Sequence, residues 1–263
     1  MATLKTRGIV LGRRVYGEAD RILTLLTPGL GKIVAIAKGS RRMTSKLGGH
    51  LELFYVVDWV LAEGRTWHVV TGADTAQDFP ALRETLETVR QASHVAHLVN
   101  RLVPEGEAHP DIYRLVEQTL GAIRPGNSPL VLRQFEWQLL IMGGRQPELK
   151  RCCHCGGELD PNQLGLCPVR GGVLCPACQQ TSVSALSEAE GVHVPASAEA
   201  VKVLRLFERA PSILAYRLNL SNETLPELER ITRAFLEHAL ESPLRFESNQ
   251  AISSPDYQSS RYQ

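Results

Sequence analysis

The chain changes its hydrophobic rhythm near residue 80. Before that point, apolar positions come in short runs or in strict alternation. Gly8-Ile9-Val10-Leu11 is one run, and Asp20 to Leu26 gives a second through Ile22, Leu23, Leu25 and Leu26. Thr27-Pro28-Gly29-Leu30-Gly31 then turns the chain into Lys32-Ile33-Val34-Ala35-Ile36-Ala37, as a hairpin would. Leu51, Leu53, Tyr55, Val57, Trp59 and Leu61 share one parity, which predicts a half-buried strand over 51–61. Glu63-Gly64-Arg65 turns into Thr66-Trp67-His68-Val69-Val70-Thr71. About five short strands in some seventy residues suit a small closed barrel of the OB type.

From Leu82 the spacing becomes helical. Leu82, Leu86, Val89, Val95, Val99 and Leu102 recur at three, four or their sums and form one stripe. Pro110 opens a second helix that Pro125-Gly126 closes, and Ser128-Pro129 starts a third, with serine as cap and proline in the first turn. Further helices are expected around 197–210 and 222–241. The segment from Ser253 to Ser260 lacks apolar content and reads as disordered. The predicted fold class is therefore α+β and multi-domain: an N-terminal OB-fold β-barrel over 1–80, then an all-helical domain over 81–150 and 183–250. A cysteine module (151–182) interrupts that domain, and a tail (251–263) follows it.

Charge sharpens this division. Overall the formal charge is +1, but residues 1–50 carry ten Lys/Arg against Glu18 and Asp20, a balance of +8. The remaining residues hold 19 cations and 26 anions, a balance of −7. A solvated surface mixes the signs, so a basic N-terminal fifth points to a polyanion partner; an ordinary charged surface is the bland alternative. The basic stretch Lys38-Gly39-Ser40-Arg41-Arg42-Met43-Thr44-Ser45-Lys46 falls between two strands and reads as a binding loop. A basic loop that serves only solubility is the competing reading. No run approaches the ~20 apolar residues that span a bilayer, and the start has no apolar signal region. Cytoplasmic localisation, close to the nucleoid, and no membrane partner are the expectations.

Cys152, Cys155, Cys175 and Cys178 form C-x2-C-x19-C-x2-C. Two thiolates three positions apart grip one side of a metal from a tight turn, and a second pair across a short loop completes a tetrahedron. Gly156-Gly157 follows the first pair and Gly171-Gly172 precedes the second, where glycine lets backbone amides fold over sulfur. Four thiolates leave no place for water, so the predicted cofactor is one structural Zn²⁺ that activates nothing. A redox C-x-x-C pair and a disulfide framework are the alternatives. Cys153 would make a C-x-C with Cys155, a poorer fit to the turn, and Cys167 reads as a packed or free thiol.

Catalytic signatures are missing: no phosphate-cradling G-x-x-x-x-G-K-[ST], no H-E-x-x-H and no G-x-S-x-G occurs. His50-Leu51-Glu52 imitates the H-x-E of zinc deaminases, but that reading leaves Cys152 and Cys155 unused and lacks the proline before the C-x-x-C. The chain is therefore expected not to be an enzyme. Among the aromatics, Tyr55 and Trp59 share the parity of core leucines. Tyr16 follows Arg13-Arg14-Val15 and is the better base-stacking candidate.

Taken together, Gly8-Ile9-Val10-Leu11, Tyr16-Gly17-Glu18-Ala19-Asp20-Arg21-Ile22, Gly31-Lys32 and Ala37-Lys38-Gly39-Ser40-Arg41-Arg42 resemble the RecO family of bacterial recombination mediators. The two Cys-x-x-Cys pairs and the late helix with Phe235-Leu236-Glu237-His238 agree, so the likeness covers about residues 7–245. It implies an N-terminal OB fold and a helical C-terminal domain that carries, in many members, a four-cysteine zinc module. It further implies binding of single- and double-stranded DNA, strand annealing, and work with RecR to help RecA replace single-strand-binding protein. Scattered cations neutralise two phosphate backbones without reading bases. The candidate DNA contacts are Arg13, Arg14, Tyr16, Lys38, Arg41, Arg42 and Lys46, whereas Arg21, beside Asp20, also suits a structural pair. A zinc-stabilised adaptor whose basic barrel binds RNA or a protein is the competing class.

Overall fold

The computed structural model describes residues 3–126, 128–185, 193–210, 213 and 218–244. They form two compact units that divide after Pro125. The segment expected to be disordered, 251–263, lies outside the described residues.

The first unit is built on a closed five-stranded barrel with strand order β1-β2-β3-β5-β4. Its strands are β1 (Thr3–Tyr16), β2 (Asp20–Thr27), β3 (Gly31–Ala37), β4 (Val56–Ala62) and β5 (His68–Gln77). This is the OB topology, closed by a short parallel pairing of Ala35 and Ile36 with His68 and Val69. One device makes it possible for fourteen residues of β1 to serve both neighbours. The register slips between Val10 and Gly12, so the first half pairs with β4 and the second with β2. A bulge of this kind bends the strand and adds twist. Val10, Leu23, Leu25, Ala35, Leu51, Val57, Trp59 and Leu61 fill the interior.

The alternation over 51–61 is a strand only from Val56 onwards. Leu51 is fully buried in the barrel core, but Phe54 takes a left-handed backbone (φ 69°). Phe54 N–H donates to Val10 O (2.8 Å), and Val10 N–H donates to Tyr55 O (3.0 Å). Residues 51–55 thus meet β1 at its bulge instead of pairing in a ladder. Their alternating apolar side chains pack the barrel without extending it.

Helices α1 (Leu86–Leu102) and α2 (Pro110–Ala122) belong to this unit and lie against β1 and β2. A capping box of Thr85 and Thr88 starts α1. The link back to the barrel is tight: Lys32 is buried and its ammonium donates to Asn100 O (2.6 Å). Gly106 N–H donates to Lys32 O (2.9 Å). Gly31 must be glycine, because φ is +68° and a Cβ would lie 2.0 Å from Glu107 O.

The second unit contains α3 (Ser128–Met142), a three-stranded sheet, α4 (Pro176–Ala185), α5 (Ala198–Arg209) and α6 (Thr224–Leu240). The sheet order is β7-β6-β8, with β6 (Leu164–Cys167), β7 (Gly172–Leu174) and β8 (Val194–Ala196). Helix α3 packs on α5 and α6, and buried Trp137 meets Phe235 edge-on at 5.3 Å. Glu136, almost fully enclosed, is satisfied by Arg133 (2.8 Å) and by the Thr232 hydroxyl (2.6 Å). A buried carboxylate persists only when paired and hydrogen-bonded in this way. Gln138 closes the end of α5 by donating to Phe207 O and Ala210 O (3.0 and 2.8 Å).

A four-cysteine cluster and a basic barrel end

In the second unit, the sulfurs of Cys152, Cys155, Cys175 and Cys178 all lie within 4.8 Å of one another. The first pair sits in a turn closed by Gly156 N–H to Cys152 O (2.9 Å) and Cys152 N–H to Gly157 O (3.0 Å). Gly156 supplies the positive φ of 71° that this turn needs. The second pair flanks the start of α4, where Pro176 takes the first position and Gln179 N–H returns to Cys175 O. A helix N-terminus favours negative charge and therefore thiolate.

Burial works against charge at Cys152, but amide N–H groups of Cys155, Cys175 and His154 directed at its sulfur bring its pKa well below the ordinary thiol value. Burial pushes the Cys178 thiol up, helped by the neighbouring cysteines. A bound cation would favour the thiolate form of all four. The arrangement is a closed four-sulfur site that fits a tetrahedral metal ion. Cys153 and Cys167 stand outside it. Cys167 is buried against Leu174 and the ligand sulfurs, and burial pushes the Cys153 thiol up to about 11. The platform beneath the site is the β6-β7 ribbon. Gly172 pairs with Cys167, and Glu148 bridges the same residue through Glu148 N–H to Gly171 O and Val173 N–H to Glu148 O (2.8 and 2.9 Å). This small sheet carries no alternation in the sequence, because all of its β6 and β7 positions are buried.

In the first unit, the pairing of the strands brings the sequence candidates to one end of the barrel. Tyr16 opposes Asp20 across the β1–β2 hairpin, Arg14 opposes Ile22, and Ile22 opposes Ile36 of β3. The basic loop leaves β3 at that same end and is fastened to the hairpin turn. Gly39 N–H donates to Asp20 Oδ1 (2.7 Å), Arg41 N–H donates to Ala19 O (2.9 Å), and the Arg41 guanidinium donates to Glu18 O (2.8 Å). Asp20 therefore organises the loop, which explains an acidic residue in so basic a stretch. Lys38, Arg41, Arg42 and Lys46 are exposed. Among the described residues no carboxylate pairs with these four or with Arg14, whereas Arg13 is engaged by Glu52 at 2.5 Å.

The structure sets a second aromatic ring beside Tyr16. Trp67, from the β4–β5 connection, meets Tyr16 edge-on with ring centroids 5.5 Å apart. Gly64 allows that connection to fold, since a Cβ there would lie 2.1 Å from Trp67 O. The signal was available in principle, because the β4–β5 loop of an OB barrel flanks the face that takes oligonucleotides. Two other basic residues of the N-terminal fifth are engaged elsewhere. Lys32 is buried, and Arg7 holds Asp58 with two bonds (2.8 and 3.0 Å). His50, the deaminase decoy, is occupied by the Thr75 hydroxyl (2.8 Å) inside the barrel unit.

The chain thus joins a closed OB barrel to a helical unit that carries four cysteines placed to hold a metal ion. Two family models match the chain: Recombination protein O N terminal over residues 1–79, and Recombination protein O C terminal over residues 83–246. A DNA repair protein RecO of Dehalococcoides mccartyi strain 195 is 39% identical over 238 residues, covering 90% of each chain. Another of that name, from Roseiflexus sp. RS-1, is 37% identical over 238 residues, covering 90% of this chain and 81% of its own. A third, from Desulforamulus reducens MI-1, is 29% identical over 245 residues and covers 93% of both. The chain belongs to the RecO family. The family models divide the chain near residue 80, whereas its compact units divide after Pro125, so α1 and α2 fold with the barrel. Among the described residues no helix is long and apolar enough to cross a membrane.

Proposed function

We propose that this protein is a DNA-binding recombination mediator and strand-annealing protein of recombinational repair. It works with RecR to load RecA onto DNA coated by single-strand-binding protein. The observation that carries this reading is the barrel end, where Arg14, Lys38, Arg41, Arg42 and Lys46 are exposed beside the Tyr16–Trp67 pair. Unpaired cations release counterions from a phosphate backbone whatever its sequence, and adjacent rings stack on any base. Two strands screened in this way come together without nucleotide hydrolysis, so the role requires no catalytic group. The metal is one Zn²⁺ on Cys152, Cys155, Cys175 and Cys178, which holds the second unit's small sheet to α4 and takes no part in chemistry. The place of action is the cytoplasm, at the nucleoid.

The test is annealing of complementary single strands coated with single-strand-binding protein, followed without ATP. Acceleration that is strongest at low salt supports the reading. No acceleration, together with tighter binding to a matched RNA strand than to DNA, would replace it with an RNA-binding adaptor.

A further inference from the structure

Met43 is fully exposed, more so than any other large apolar side chain among the described residues. Such a residue needs no explanation when it stands alone on a surface. Here it does not stand alone. Val15 (60% exposed) and Tyr16 (46%) are also among the few exposed large apolar residues, and both belong to the hairpin that Arg41 fastens to the Met43 loop. The tip is also not a loose one. Arg42 N–H donates to Gly39 O (3.1 Å) and Ser45 N–H donates to Arg42 O (2.9 Å), two successive tight turns. Below them Ser40 is buried and Gly39 is held by Asp20. Met43 therefore occupies the apex of an anchored turn with Arg41 and Arg42 before it and Lys46 after it. Phosphate-binding cations on both sides of a projecting apolar side chain give a wedge flanked by backbone clamps. Proteins that separate base steps use methionine among such wedges, and its thioether is polarisable enough to lie on a base face.

We propose that Met43 enters between bases, with Val15 and Tyr16 exposed on the adjoining hairpin, so that this site selects nucleic acid whose bases are already unstacked: single strands and single-strand/duplex junctions over continuous duplex. The inference rests on the DNA-binding reading of the barrel end and names the form of DNA it takes. Insertion costs least where the stack is already broken, and intact duplex must first be opened. The cations would then supply affinity, and Met43 would supply the discrimination.

The experiment uses the full chain and DNA carrying 2-aminopurine at the junction, with a continuous duplex and a single strand as comparators. The wild type should raise the probe's fluorescence at the junction and bind junction more tightly than duplex. Met43→Ser should lose that rise and reduce the junction-over-duplex preference roughly fivefold to tenfold, as loss of one stacked contact does. Its salt slope should not change, because no charge has been removed. Met43→Leu should restore the preference. Because the side chain is fully exposed, all three proteins should melt alike. A Met43→Ser protein with the wild-type preference and fluorescence rise overturns the wedge and leaves the DNA-binding reading intact. Absence of DNA binding by the wild type overturns both.

Discussion

Cys155 is exposed while Cys152, Cys175 and Cys178 are buried, so three of the four sulfurs would need a bound metal to offset the cost of burying their charge. Structural zinc contributes ~10–16 kcal/mol of apparent free energy in small finger peptides, so one missing ligand is enough to open the module. Cys175→Ser should lose the metal and lower the melting temperature of the second unit. Cys153→Ser should keep one metal per chain. Cys167→Ser should also keep it while losing about 1–3 kcal/mol, because it buries a hydroxyl among apolar neighbours. Metal analysis beside thermal melting separates the three; equal metal in Cys175→Ser and wild type would refute the ligand set. The spacing made these residues legible. The Arg13–Glu52 pair was not, since it joins positions 39 residues apart that meet only after the barrel closes. Tyr113 gives a pH dependence in the first unit. Burial, and then the charge of Glu117, raise its phenol far above the ordinary value near 10. An acid with a raised folded pKa favours the native state below its unfolded value and disfavours it above. Stability should therefore fall as pH rises beyond about 10, and Tyr113→Phe should flatten that fall in melts between pH 8.5 and 11.

Among the elements, strands with unbroken apolar runs were readable and those shaped by contacts were not. The sequence reading of β2 and β3 agrees with the structure to within a residue, because hairpin turn chemistry bounds both. It shortens β1 by ten residues, since the exposed positions before Gly8 and after Gly12 follow the barrel's pairing and not its core. The basic loop presents the opposite case: its charge is plain in the sequence, but its order comes from Asp20 and the backbone carbonyls of Gly17, Glu18 and Ala19. Replacing Lys38, Arg41, Arg42 and Lys46 together by Gln should leave the barrel folded, because those side chains contribute nothing to the core. It should flatten the log–log salt slope for single strands by roughly 1.4–2.8, two to four phosphates at about 0.7 each. Arg14→Gln should remove about 0.7, and Arg13→Gln less, because Glu52 already neutralises it. Fluorescence anisotropy across a salt series reads all three. A folded quadruple variant with the wild-type slope would make the loop a solvated surface.

For the whole molecule, the charge balance changes within the barrel, near residue 50, and the hydrophobic rhythm changes close to the barrel's end, yet the first compact unit continues to Pro125. The reason is visible at Gly31 and Lys32. The carbonyl of Glu107 fits against Gly31 only because no Cβ is present, and the Lys32 ammonium has lost water in exchange for Asn100 O. Burial alone lowers its basicity, as expected for a cation held by one carbonyl. Cutting the chain at residue 80 would remove that carbonyl and uncover the β1 and β2 faces that α1 and α2 cover. A 1–125 fragment should therefore melt cooperatively and bind single strands with a clear salt dependence. A 1–80 fragment should be far less stable, by circular dichroism, although it holds the same ten N-terminal cations. Residues 126–263 carry 13 Lys/Arg against 15 Asp/Glu, a balance of −2, and lack the basic concentration of the N-terminal fifth, so the 1–125 fragment should anneal bare strands but act poorly on strands coated by single-strand-binding protein. If residues 126–263 bind DNA fully and 1–125 does not, the division of labour runs the other way and the basic barrel end is not the DNA site.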